Sequence, residues 1–414
     1  MSKDRSGTTT DAGEWPAIGY ERHRWETDSS LPLSRTQRRR HQGPYDAAVV
    51  AHLAEQPLRL SGEVIAEADD ASVAIARFDA YVAARLDGPA ATGELAPMAS
   101  ILLRTESASS SQIENLTVGA RQVALAELGE RASRNANIVA SNGAAMRAAL
   151  AMADRIDEES ILEMQRTLLV GSDPDNAGRW REQQVWVGGS GAGPHSAHFV
   201  PPHHSRVPDD VRDLVAFIDR EDLPVLAHSA LAHAQFETIH PFTDGNGRTG
   251  RALLHAMLRS KGLTERVTVP VSAGLLSDTE AYFDSLDDYR RGDPAPIVRQ
   301  LCRASFAAIE NGQSLVDDLS AIRYDWSERI TARRDAAVWR LVDLLVRHPV
   351  VNNALVGREL GVSDVAAQGA IDQLVSIGVL VAEGQRRRNR LWRSPEVLEA
   401  LDAFAVRAGR RRTA

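Results

Sequence analysis

The sequence is poor in cysteine and contains no long run of apolar residues. Its 414 residues include a single cysteine, Cys302, which excludes an internal disulfide framework and favours a cytoplasmic location. A small buried apolar residue is a better interpretation of Cys302 than a nucleophile. No segment approaches the roughly 18 consecutive apolar residues of a membrane-spanning helix. The polar amino-terminal segment also lacks the apolar core of a signal peptide.

Aromatic residues are scarce as well, at 5%, so aliphatic and alanine side chains must supply most of the core. The net charge of -8 argues against nucleic-acid binding by the chain as a whole, although it leaves room for a local basic patch. Hydrophobic residues make up 43% and charged residues 25%, the proportions of a globular protein. The length predicts two or three domains.

Helical periodicity fills most of the chain and predicts a mainly α fold. Residues 1–30 are expected to be a disordered lead-in, and apolar spacings of three and four predict a helical region over 31–150. Helices continue over 151–310, interrupted by 181–204. That segment combines strand-like alternation, a glycine cluster and a Pro-Pro pair, which predict a small β-hairpin.

The carboxyl-terminal part has a different order of predicted helices and strands. Two short helices around Gly361–Ser363, with Ser363 as N-cap, are followed by two strands and a basic loop. This order is typical of a winged-helix domain, which we place at 325–400 with a basic tail over 401–414. The candidate recognition helix, 363–376, has two aspartates and no Lys or Arg, whereas the wing is basic. DNA contact and protein contact therefore stay equally open.

The densest cluster of polar chemistry is TIHPFTDGNGRTGR, residues 238–251. Its GxGxxG spacing matches a dinucleotide-binding turn, but that turn needs a preceding strand and the pattern before it is helical. A zinc site is a second interpretation, with His240 and Asp244 as ligands. The upstream histidines lack the fixed spacing of a metal box and are better explained as solvated side chains, namely His195, His198, His203 and His204.

An anion site explains more of these residues together. The glycines of 245–247 let the backbone curl before a helix whose amino end presents N–H groups. Arg248 and Arg251 are three apart and share a helix face, which suits a polyphosphate. Asp244 can hold Mg²⁺ beside phosphate oxygens, and His240 can act as a general base near neutral pH.

Residues 240–251 resemble the signature of the Fic family, H-x-F-x-[DE]-G-N-G-R-x-x-R, with every defining position filled. The resemblance implies a helical Fic core and transfer of AMP from ATP to a Tyr, Thr or Ser hydroxyl of a target protein, with release of pyrophosphate. It implies His240 as the base, Phe242 as a loop anchor and Asp244 as the ligand of Mg²⁺, with Mn²⁺ as an alternative. It also implies ATP binding by the residues Gly245, Asn246, Gly247, Arg248, Thr249, Gly250 and Arg251.

Two further stretches fit the resemblance. The segment 181–204 is similar to the family's flap, which pairs by backbone hydrogen bonds with the target protein. A plain surface hairpin is the alternative. Residues 281–286 resemble the segment that lines the adenine pocket, with Tyr282 as the candidate, although tyrosine on an amphipathic helix is more often a core residue.

A serine-rich stretch resembles the family's inhibitory motif, [ST]-x-x-x-E-[GN], at Ser110, Glu114 and Asn115. We expect an inhibitory helix over about 103–119. The resemblance implies that Glu114 pairs with Arg251 and so occupies the guanidinium that the γ-phosphate needs. An exposed glutamate in an ordinary helix is the alternative.

The sequence therefore predicts an autoinhibited protein adenylyltransferase whose partners are ATP and a target protein. Removal of AMP at the same site, with Glu114 positioning a water, is one alternative. A DNA-binding regulator whose Fic domain only senses nucleotide is another. A homodimer is compatible with the sequence, and membrane association is not expected.

Overall fold

A computed structural model describes residues 15–27, 32–86, 97–189, 191–333, 336–384 and 389–409 of the protein. Helices dominate these ranges, which confirms the mainly α prediction. The helices before the flap are α1 (Arg35–Arg40), α2 (Gly62–Leu86), α3 (Pro97–Ile113), α4 (Ala120–Glu127), α5 (Arg134–Ala151) and α6 (Glu158–Leu169). Those after it are α7 (Val207–Ile218), α8 (Val225–Ile239), α9 (Asn246–Ser260), α10 (Val271–Ser277), α11 (Thr279–Arg290) and α12 (Ala295–Arg329). None of these described helices is long and apolar enough to cross a membrane.

Part of the expected disordered lead-in is a strand. β1 (Gly19–Trp25) pairs antiparallel with β2 (Gly43–Val49), from Gly19 opposite Val49 to Trp25 opposite Gly43, and we call this pair the β1–β2 ribbon. Ahead of it, Trp15 is buried against Tyr289. The prediction was wrong here because β1 is mostly polar, and its backbone groups are satisfied by a partner strand that local periodicity does not reveal. Residues 1–14 lie outside the described residues.

Helix α8 forms the centre of the helical body, by which we mean helices α2 to α12. Its sequence is apolar or small at most positions, and every residue from Leu226 to Ile239 is buried. Helices α2, α7, α9, α11 and α12 pack around it. Helices α10 and α12 can approach each other closely because α10 has a glycine at the contact. A Cβ at Gly274 of α10 would lie 2.0 Å from the Ala304 carbonyl oxygen of α12. Helix α12 runs to Arg329, so the boundary expected at 310 falls inside a continuous helix.

The flap, residues 181–204, is less regular than the predicted hairpin. Its described residues hold an isolated bridge between Val187 and Phe199, together with a short 3₁₀ helix at Pro194–Ser196. Gly188 and Gly189 have φ of 73° and 75°, which bend the chain away from a ladder. The β1–β2 ribbon supports the flap: Ala48 N–H donates to the Val200 carbonyl (3.0 Å), and Trp25 packs edge-on against Trp186.

The carboxyl-terminal module, which we define as residues 337–407, comprises α13 (Ala337–Arg347), α14 (Asn353–Leu360), α15 (Asp364–Ser376) and α16 (Pro395–Arg407) with a three-stranded sheet. The sheet order is β3 (Val350–Asn352), β5 (Leu391–Arg393), β4 (Val381–Glu383). Ser363 caps α15 by accepting the Ala366 N–H, as predicted. The expected tail is partly helix, because α16 extends to Arg407 and buries Phe404. The assignment to the winged-helix class stays a prediction.

This module packs against the helical body. Helix α13 lies against α3, and α16 lies against α12, α3 and α4. Asn311 of α12 donates to the Phe404 carbonyl (3.1 Å) and accepts from Arg407 (2.7 Å). Arg121 of α4 donates to Glu383 (3.1 Å). The helix that carries Ser110 is therefore enclosed between α9 on one side and the module on the other.

Candidate active site

The loop between α8 and α9 is a tight turn at the ends of two buried helices. His240 caps α8 in the left-handed region (φ 51°), and its N–H donates to the Phe236 carbonyl (2.9 Å). Gly245, at φ 81°, opens α9. A helix rather than a strand precedes the glycines, which excludes the dinucleotide-binding interpretation.

The shape of this loop is fixed from inside. Phe242 is buried and stacks on Trp180, with ring centroids 5.0 Å apart, so it anchors the loop as the resemblance implies. The Asn246 side chain accepts the Phe242 N–H and donates to the Phe242 carbonyl, both at 2.9 Å. The amide therefore holds the loop in shape, and the part of Asn246 in ATP binding stays a prediction.

Arg181 ties the loop to the flap, and sequence reasoning missed it because a single arginine before a hairpin carries no signal. Its buried guanidinium donates to the carbonyls of His240 (2.8 Å) and Pro202 (2.6 Å). Burial lowers the pKa of Arg181 to about 10, so the group stays charged near neutrality. The position of His240 relative to the flap is thereby fixed by one residue.

His240 is held neutral by its surroundings. Burial lowers its pKa to about 4, and the Arg181 and Arg290 charges act in the same direction. Its Nδ1 is buried without a hydrogen-bond partner among the described residues. A neutral imidazole with a free nitrogen can accept a proton at neutral pH.

The amino end of α9 is occupied by a carboxylate. A Cβ at Gly247 would lie 2.0 Å from Glu114 Oε1, so only glycine admits that oxygen. The Arg251 guanidinium, 1% exposed, donates to Glu114 Oε1 (2.9 Å) and to the Ser110 hydroxyl (2.9 Å) and carbonyl (2.8 Å). Burial works to raise the pKa of Glu114, but Arg251 and Arg248 outweigh it and the pKa lies below its usual range. Glu114 is therefore an anion in the anion site.

Arg248 and Asp244 form the outer part of the site. Arg248 Nη2 lies 3.3 Å from Asp244 Oδ1, while its Nε and Nη1 are buried with no acceptor in the described parts of the chain. The Asp244 side chain is 64% exposed and also accepts the Gly245 N–H (2.6 Å). An oxygen donor of this kind fits Mg²⁺ or Mn²⁺. The described residues contain no group of three or more ligating side chains, so phosphate oxygens would have to complete the shell.

Three residues that were predicted to bind ATP are buried, and their part in ATP binding stays a prediction. Thr249 is buried, and a Cβ at Gly250 would lie 2.9 Å from Phe236, so Gly250 permits α8 and α9 to pack closely. Tyr282 is 1% exposed and hydrogen-bonds to His233 Nε2 (2.8 Å), which makes it a core residue. The exposed ring of that segment is the adjacent Phe283, at 49%.

A polar stripe joins α3 to α9 in antiparallel register. Glu106 lies 2.9 Å from His255, Ser110 bonds to Arg251, and Glu114 lies against Gly247. Positions on α3 rise by four as those on α9 fall by four, which is the one-turn spacing of a helix face. Glu106 is a residue that sequence reasoning missed, although its spacing of four from Ser110 was a usable signal. Burial works to raise the pKa of Glu106, and the His255 charge and Ser272 lower it below its usual range.

Helix α3 ends sooner than predicted, at Ile113 rather than about 119. The Leu116 N–H donates to the Ser111 carbonyl (3.0 Å) and the Asn115 N–H to the Gln112 carbonyl (2.9 Å), which is a Schellman motif. Asn115 occupies its left-handed position at φ 62°. Glu114 is therefore the last residue before a fixed turn, and this explains why asparagine or glycine suits the next position.

The upstream histidines have other partners than a metal. His198 Nε2 lies 2.8 Å from Asp287, and the His203 ring stacks on His23 with centroids 4.1 Å apart. The zinc interpretation therefore receives no support from the described residues.

Comparison with known proteins gives one consistent result. Residues 155–258 match the Fic/DOC family. The chain is 35% identical over 161 residues to protein adenylyltransferase fic-1 of Caenorhabditis elegans, covering 38% of this chain and 28% of that protein. It is 32% identical over 164 residues to protein adenylyltransferase Fic of Nematostella vectensis, covering 38% and 34%. The chain thus spans about a third or less of these relatives.

Solved structures were also found. A Fic family protein from Desulfovibrio desulfuricans is similar with a TM-score of 0.49 and 21% identity, covering 82% of this chain and 97% of that one. Fic-1 from C. elegans is similar with a TM-score of 0.42 and 23% identity, covering 60% and 74%.

Proposed function

Since residues 155–258 form a Fic/DOC domain, we propose that this protein transfers AMP from ATP to a Tyr, Thr or Ser hydroxyl of a target protein. The relatives named protein adenylyltransferase support this activity. The observation that carries the proposal is the buried Nδ1 of His240, which has no hydrogen-bond partner among the described residues and stands on the same loop as Arg248 and the amino end of α9.

In the proposed reaction, the target hydroxyl oxygen attacks the α-phosphorus of ATP. Its proton passes to the imidazole of His240 as the new P–O bond forms. The bond from the α-phosphorus to the oxygen that bridges to the β-phosphate breaks, and pyrophosphate leaves. His240 suits this role because its pKa of about 4 leaves the nitrogen unprotonated before the reaction.

The phosphates would lie along the start of α9. Backbone N–H groups of Asn246 and Gly247 and the two unpaired nitrogens of Arg248 offer donors there. Asp244 would hold Mg²⁺, which neutralises phosphate charge when bound. Phe283, rather than the buried Tyr282, is the ring in α11 that is exposed enough to contact a base.

We propose that Glu114 inhibits this reaction. Its carboxylate lies against Gly247 and takes up the Arg251 guanidinium, so a γ-phosphate would have to displace an anion from a buried arginine. The target protein would pair with the flap, where the described backbone forms only one bridge of its own.

Incubation of the purified chain with Mg²⁺ and ATP labelled at the α-phosphate tests both claims. We expect Glu114→Gly to raise self-labelling by about 5- to 150-fold, the usual span of a regulatory coupling. Glu114→Gln keeps the shape of the side chain and removes its charge, so its self-labelling should lie between that of wild type and that of Glu114→Gly. Adding His240→Ala to Glu114→Gly should abolish labelling.

The outcomes separate the two proposals. Equal labelling of wild type and Glu114→Gly contradicts inhibition and leaves adenylyl transfer standing. Label from the γ-phosphate but not from the α-phosphate contradicts adenylyl transfer itself.

Removal of AMP is a second candidate for the same site. Glu114 stays 40% exposed although it binds Arg251, so a water can reach its carboxylate beside the anion site. Incubation of labelled Glu114→Gly protein with unlabelled wild type tests this. Loss of label that needs Glu114 in the added protein supports removal, and stable label contradicts it.

A further inference from the structure

A second polar cavity lies apart from the proposed ATP site, between the helical body and the carboxyl-terminal module. It has a volume of about 410 Å³ and is lined by residues of α3, α4, α5, α13 and α14. Pockets of roughly 300–1,000 Å³ are typical of small-molecule sites. Three arginines line it, one from each of three helices: Arg104, Arg147 and Arg347.

Arg104 of α3 has unused donor capacity. It forms a two-pronged pair with Glu127, through Nε to Oε1 at 3.2 Å and through Nη2 to Oε2. Its third nitrogen, Nη1, is buried and has no acceptor within the described ranges. A buried donor without a partner is unfavourable. An acceptor that reached this nitrogen would satisfy it.

Arg147 of α5 lines the cavity beside Gly143, one turn earlier. Its Nη1 lies 3.7 Å from the point where a Cβ at Gly143 would stand, and so does the Ser107 hydroxyl oxygen of α3, which places the guanidinium next to α3. Arg347 of α13 reaches the same cavity while bound to Glu359 of α14 at 2.9 Å.

The cavity carries surplus positive charge. Three guanidinium groups face two carboxylates, Glu127 and Glu359, each already paired. His348 also lines the cavity. Burial lowers its pKa to about 4, and the positive charges of Arg104 and Arg347 lower it further. The imidazole is therefore neutral and the surplus belongs to the arginines.

We propose that this cavity binds a small phosphorylated anion, held by the guanidinium groups of Arg104, Arg147 and Arg347. A phosphate group offers more acceptor oxygens than a carboxylate and suits guanidinium donors that arrive from three helices. The Ser100 hydroxyl, in the same lining, adds a neutral donor. This inference is independent of adenylyl transfer, because none of its residues belongs to the ATP site.

A ligand bound in this cavity would also affect how helix α3 packs against the module. A ligand here contacts both α3 and the module. Helix α3 carries Ser110 near its carboxyl end, and Glu114 directly follows its last residue. A ligand that binds the docked arrangement stabilises it by mass action.

Isothermal titration of the full chain with inorganic phosphate and with pyrophosphate tests the proposal. We expect binding by wild type and by Arg248→Met, which lacks a guanidinium of the ATP site. Arg147→Met/Arg347→Met should bind at least about tenfold more weakly. Arg147→Glu serves as a second variant, since Arg147 is exposed at the surface and its replacement leaves the Glu359 pair intact.

Two results would overturn the site. One is unchanged binding in both arginine variants of the cavity, and the other is the absence of any binding by wild type. Binding that disappears in Arg248→Met and persists in Arg147→Met/Arg347→Met assigns the anion to the start of α9 and also overturns it. None of these results depends on whether the protein transfers AMP.

Discussion

His240 shows how one residue depends on its surroundings for its chemistry. An ordinary histidine is partly protonated near neutrality, and a protonated imidazole cannot act as a base. Burial and two nearby arginines, Arg181 and Arg290, keep this one neutral. Both arginines lie far from His240 in the chain, and they meet it only through the fold.

This state predicts the pH dependence of the proposed reaction. The His240 imidazole is neutral above its pKa in the folded protein. It stops acting as a base when the pH falls through that value. In Glu114→Gly, kcat/KM for ATP should therefore stay level down to about pH 5 and fall only toward pH 4, since this ratio reports the free enzyme. Initial rates of α-label transfer in constant ionic strength measure it, with circular dichroism at each pH to confirm folding.

Glu237 is the group to control for in that measurement. Burial raises its pKa to about 7, and it lies near Gly250 at the crossing of α8 and α9. Glu237→Gln removes this titration. An acid limb centred near pH 6.5 that persists in Glu237→Gln would show that His240 titrates as an ordinary histidine and would contradict its predicted neutrality.

At the scale of the element, the end of α3 decides where Glu114 stands. The Schellman turn places Asn115 in the left-handed region, which costs a β-branched residue about 1–2 kcal/mol. Asn115→Gly should keep the turn and the inhibition. Asn115→Val should lower the melting temperature and raise self-labelling several-fold toward the level of Glu114→Gly.

Asn115→Gly tolerates positive φ and Asn115→Val does not, so the pair tests whether the left-handed backbone at this position is required. Thermal denaturation followed by circular dichroism and α-label transfer are the two measurements. Similar labelling of both variants would mean that the turn does not position Glu114.

At the scale of the whole molecule, the question is whether the carboxyl-terminal module binds DNA or another protein. The exposed face of α15 carries Asp364, Asp372 and the largely exposed Val365, and the helix has no basic residue. Residues 385–388 of the basic wing lie outside the described residues. The described face is unfavourable for phosphate contact and suits a protein partner better.

We therefore expect weak DNA binding or none from the full chain. Fluorescence anisotropy with a labelled mixed-sequence duplex at two salt concentrations measures it. Tight binding that weakens steeply with salt would contradict this expectation. Its loss on replacing Arg386, Arg387 and Arg388 with alanine would then assign the contact to the wing.

Much of the site was predictable because its chemistry is local in the chain. Residues 238–251 contain the proposed base, the glycines and both arginines, and helical spacing alone places Arg248 beside Arg251. Ser110 and Glu114, one turn apart, likewise indicated a partner. Arg181 and Glu106 were missed, since each acquires its role from a residue more than fifty positions away.

The sequence by itself determined the helical class and the identity of the loop, because periodicity and spacing are properties of neighbours along the chain. Only the tertiary structure decided that His240 is neutral, that Asn246 clamps the loop and that Tyr282 is a core residue. It also decided that a polar amino-terminal segment forms a strand beneath the flap. The physical reason is common to these cases: burial, hydrogen-bond partners and nearby charges come from distant segments, and their effect exists only once those segments pack together.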